Sequence, residues 1–70
     1  MQLLEDIADQ LAKKALEIVG LDEDATLIDE MATAIGASSA TLQESFLTAV
    51  RIRRAEVRAM NALQKYQDRD

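Results

Sequence analysis

The sequence predicts an all-α fold, a small helical bundle that ends in a long helix. Apolar residues recur at intervals of three and four along most of the chain, the mark of helices with one buried face. No proline interrupts these runs, and the only two glycines, Gly20 and Gly36, each sit just past the last apolar residue of a run. Few stretches show the strict alternation of a half-buried strand.

The first helix is expected over residues 2–19. Leu4, Ile7, Ala8, Leu11, Ala15 and Ile18 form its apolar stripe, and Gly20 suits a left-handed C-terminal cap. The acidic connector that follows, "LDEDAT", offers Asp22, Asp24 or Thr26 as N-caps, with Thr26 and Asp29 in capping-box spacing. Leu27, Ile28, Met31 and Ile35 then mark a second helix over about 25–35, and Gly36 again follows the last periodic residue. Ser38 and Ser39 can cap what comes next, with Thr41 and Glu44 as an alternative capping box. From Leu42 to Tyr66 the helical spacing never stops, so one helix is expected from 39 to about 67. Ser45 and Thr48 mark the one place where it could break.

Seventy residues make one domain, 1–70, with a modest core. Twelve of the apolar residues are alanine, which adds little buried area. No cysteine or histidine is present to supply a disulfide or a structural metal site. A second copy of the chain is therefore expected to complete the core. The distal stripe Val57, Met60, Leu63 and Tyr66 is the expected dimer interface, because two short helices cannot cover a helix of this length. No run approaches the ~18 apolar residues of a membrane span, and the N-terminus lacks the pattern of a secretory signal. A cytoplasmic location is expected.

Charge is unevenly placed. Residues 1–30 hold nine acids and two lysines, for −7; residues 31–70 hold four acids and six basic residues, for +2. Only the second half is a plausible nucleic-acid face, because affinity for DNA comes largely from neutralising phosphates.

The segment "MATAIGASSATLQESF" has the parts of a helix-turn-helix over 25–46: a short helix, a tight turn and a second helix. Ala32 is the small residue expected where the two helices cross. Gly36 is expected to open the turn, where a positive φ would cost it nothing. The longer run "DATLIDEMATAIGASSATLQESF" resembles the DNA-binding domain of the tetracycline-repressor (TetR) family, with the AraC-type regulators a close second. The resemblance covers roughly residues 12–46. It implies a DNA-binding regulator whose recognition helix ends in the Thr-Leu-x-x-x-Phe pattern, here Thr41, Leu42 and Phe46. The chain departs from the family at its phosphate-contacting positions. Gln43 replaces an aromatic residue, Ser39 replaces a lysine, and Glu44 brings a negative charge to the groove side.

On this reading Ser38, Ser39, Ala40, Thr41, Gln43 and Glu44 form the reading surface, with Gln43 able to make a bidentate contact to adenine. Arg51, Arg54 and Arg58 share a face at i, i+3, i+7 and would neutralise phosphates; Arg53 lies off that face. The bland alternative is that the serines only cap the helix, Gln43 is solvated, and the arginines clasp the acidic first helix. An enzyme is not expected, since there is no histidine or cysteine for base or nucleophile work and no phosphate-binding loop. No cofactor, metal or small-molecule substrate is expected. Two functions stay open: a dimeric helix-turn-helix DNA-binding regulator, or an acidic protein–protein interaction module on the same scaffold, such as an adaptor or an inhibitor of a nucleic-acid-handling partner.

Overall fold

The computed structural model describes residues 2–68, and these form three helices: α1 (Leu3–Val19), α2 (Leu27–Gly36) and α3 (Ala40–Gln67). The all-α expectation holds, with no strand among the described residues. α3 is continuous through Ser45 and Thr48. It is the common partner of the other two helices, which pack mainly on it and little on each other.

The core is Ala12, Ala15, Ile28, Ala32, Phe46 and Val50. Phe46 is the one large side chain that is fully buried among the described residues. It explains which face of α1 turns inward. The sequence pattern centred that face on a stripe containing Ile7 and Ile18, yet Ile7 is 37% exposed and Ile18 77%. The buried positions are Ala8, Ala12 and Ala15, a small-residue face that lets α1 approach α3 closely. Leu11, Leu16 and Val19 close the sides of the contact. An aromatic ring set against alanines fills the space that two larger side chains would otherwise share.

The helix ends follow local chemistry. Gly20 has φ 57° and ψ −130°, a conformation essentially closed to other residues, and its N–H donates to Leu16 O at 2.9 Å. A Cβ there would meet nothing within 4 Å, so backbone conformation alone calls for glycine. Thr26 does not cap α2 through its side chain. Its hydroxyl instead donates to Glu30 Oε2 at 2.8 Å, so the Thr26–Asp29 capping box is not formed. Ser39 does cap α3: its backbone is extended and its Oγ accepts from Leu42 N–H at 3.0 Å.

Gly36 departs from expectation. It is the last residue of α2, and the only described glycine with positive φ is Gly20. The constraint at 36 is space rather than conformation. A Cβ would displace the Gln43 side-chain amide, which folds back and donates to Ala32 O at 2.9 Å. The turn itself is Ala37, Ser38 and Ser39, with the N–H groups of both serines donating to Ile35 O.

Candidate interaction surface along helix α3

The two ends of α3 sit in different surroundings. Its first half supplies Phe46 and Val50 to the core. From Ala55 onward every described residue is exposed, because α1 and α2 are too short to follow a 28-residue helix.

The candidate reading surface lies at the start of α3 and is partly committed to the fold. Ser39 Oγ is the N-cap. Gln43 is half-buried, and its amide is held on Ala32 O across the angle between α2 and α3. Ser38, Ala40, Thr41 and Glu44 are exposed.

The arginines face the acidic half of the chain. Arg53 and Asp9 form a two-point pair, Nε to Oδ1 at 2.8 Å and Nη2 to Oδ2 at 2.6 Å. A guanidinium fork suits a carboxylate in this way. The hydrogen bond from Arg53 holds the Asp9 carboxyl below its ordinary pKa, and Asp9 in turn raises that of Arg53. Arg54 donates to the carbonyls of Gly20 and Asp22, at 3.4 and 3.3 Å. Arg58 reaches Glu23 Oε2 at 2.8 Å. Two of the three arginines assigned to phosphates thus rest on the connector between α1 and α2. Arg51 is exposed and makes no ion pair or side-chain hydrogen bond among the described residues. The sequence reading set Arg53 aside, although it makes the best-formed pair. Its distance of 44 positions from Asp9 leaves no local signal for that pairing.

The exposed half of α3 carries Val57 at 42% exposure, Met60 at 58%, Leu63 at 50% and Tyr66 at 75%. These four do not lie on one face. Successive helical residues turn by about 100°, so Val57 and Tyr66, nine apart on a continuous helix, point to opposite sides. One partner helix cannot cover all four. Ile52, 62% exposed, belongs to the Tyr66 side. It also lines an open groove of about 420 Å³ between α1 and α3, floored by Ala8 and Ala49 and flanked by Glu5 and Glu44.

No group of described histidine, cysteine or acidic residues is placed to hold a metal. No described helix is long and apolar enough to cross a membrane. No protein-family model, curated protein or solved structure matches the chain.

Proposed function

We propose that this chain is a protein-interaction module that associates with itself through the exposed half of α3. The observation that carries this reading is the contrast along that helix. Large apolar side chains continue past the end of the bundle at Val57, Met60, Leu63 and Tyr66, and all four are exposed. Large apolar side chains gathered on one exposed stretch of helix mark an interaction site more often than a solvated one. The placement of the basic groups supports the same reading. Arg54 and Arg58 rest on the acidic connector, Gln43 is turned inward, and the net charge is −5. A DNA-binding surface built from these residues would first have to release its own contacts.

The helix-turn-helix DNA-binding regulator of TetR type is the second reading. Its support is specific: a three-residue turn joins α2 to α3, and Arg51 is exposed on the face it shares with Arg54 and Arg58. A titration with random-sequence duplex DNA at about 50 and about 200 mM salt separates the two. Electrostatic binding weakens by orders of magnitude between those salts. The interaction-module reading expects no binding at either salt. Tight, steeply salt-dependent binding that is lost in Arg51→Ala with Arg54→Ala would replace it with the regulator.

A further inference from the structure

We infer that α3 pairs with α3 of a second copy in parallel and in register, and that the pair is locked by Arg51 of each chain on Glu56 of the other. The inference rests on the self-association proposed above and adds the face, the direction and the charge contact.

The face comes from spacing. Thr48, Ile52, Ala55, Ala59, Ala62 and Tyr66 follow one another at alternating intervals of four and three, the repeat of a two-helix seam. All six are exposed. The seam begins inside the groove beside α1, where Thr48 and Ile52 form part of the wall. It continues without a break along the exposed half of the helix. Phe46 and Val50 face the core from the other side of α3, so a second helix on the seam meets α1 only along the groove at Thr48 and Ile52. Above Thr48 the groove is flanked by Glu5 and Glu44, which sets the upper limit of the apolar contact. From Thr48 to Tyr66 the seam is about 27 Å long at 1.5 Å per residue.

The direction comes from the charges beside the seam. Arg51 precedes Ile52 and Glu56 follows Ala55, so they border the seam on opposite sides. In a parallel pair these flanking positions meet across the interface, five residues apart. Arg51 of one copy then faces Glu56 of the other, and symmetry makes the contact twice. An antiparallel pair centred on the same alanines would set Glu56 near Glu56 and Arg58 near Arg58. Both partners are available: Arg51 has no ion pair among the described residues, and Glu56 is 62% exposed with only a 3.6 Å contact to Arg53. The second copy's Leu63 falls beside the stem of Arg58 in the same way, one heptad further on.

Cysteine cross-linking tests this on the full chain, which has no cysteine of its own. Oxidation of Ala62→Cys should give a covalent dimer from that single variant. Asn61→Cys, on the far side of the helix, should give none. Arg51→Glu should weaken dimerisation at least about tenfold, and Arg51→Glu with Glu56→Arg should restore it to within about threefold. Circular dichroism on each variant establishes that the helices are retained. A dimer in which Ala62→Cys links only when mixed with Ile52→Cys would overturn the parallel register while leaving self-association standing. A dimer indifferent to both charge changes would overturn the Arg51–Glu56 contact. A chain monomeric at every concentration would overturn the underlying reading as well.

Discussion

The two halves of α3 share a backbone but not their surroundings. In the first half the large aromatic residue is fully buried, and Arg53 and Arg54 reach across to α1 and to the connector. In the second half residues of similar character are exposed, and the aromatic residue there, Tyr66, is 75% exposed. Apolar residues recur at helical intervals in both. What differs is whether another element is long enough to reach them. A helix of 28 residues against partners of 17 and 10 leaves a remainder, and in an otherwise polar distal half that remainder is the best candidate for external contact.

Substitutions in each half sharpen the contrast. Phe46→Ala should have the largest effect, a loss of about 3–5 kcal/mol in urea unfolding, enough to unfold a domain of this size. Met60→Ala, off the seam in the exposed half, should change stability by less than about 0.5 kcal/mol in the same experiment. Equal effects at the two positions would erase the distinction between the halves.

The pair Gly36 and Gln43 probes the junction that launches α3. Gln43→Ala should cost about 1 kcal/mol by removing the bond to Ala32 O. Gly36→Ala alone should be nearly neutral, since better helix propensity is offset by displacement of the Gln43 amide. In the Gln43→Ala background the same change should stabilise, by up to about 1 kcal/mol. The double-mutant cycle measures the coupling directly, and additive values would show that Gln43 does not occupy the space beside Gly36.

The smallest effect concerns acid. Asp9 has a depressed pKa because Arg53 donates to its carboxylate. The group therefore adds stability at pH values above its unfolded value of about 3.9, and that contribution is lost as pH falls through the lower folded value. The difference in denaturation midpoint between the wild-type chain and Asp9→Asn should be present at pH 6 and shrink on descent below about pH 4. A difference that is constant over that range would mean that the pairing does not persist in solution. Both side chains are partly exposed, at 33% for Arg53 and 47% for Asp9, so solvent screening keeps the effect modest.

Much of this fold can be read from the sequence where the cause is local. Ser39 as a cap and Gly20 as a stop with positive φ, though not in the left-handed helical conformation, depend on residues within a turn of themselves, and so does the helical register of α3. Long-range causes are hidden. Gly36 looks like Gly20 in sequence, but its reason is a glutamine seven positions away that folds back onto the helix. The inward face of α1 is set by Phe46, so the alanines win over the isoleucines that dominate the pattern. Arg54 is satisfied by backbone carbonyls, a partner that no side-chain pattern can announce. Val57, Met60, Leu63 and Tyr66, expected as an interface, are all exposed. A constant spacing of three winds around a helix, however, and only the alternation of three and four isolates one face.

The most direct test is sedimentation equilibrium of the unmodified chain across micromolar concentrations, beside Ala59→Glu in the middle of the seam. The account predicts a dimer of the 7.7 kDa chain that becomes a folded monomer on Ala59→Glu, with helicity retained through α1, α2 and the first half of α3. A wild-type chain that sediments as a monomer throughout, or an Ala59→Glu dimer of undiminished affinity, would contradict it.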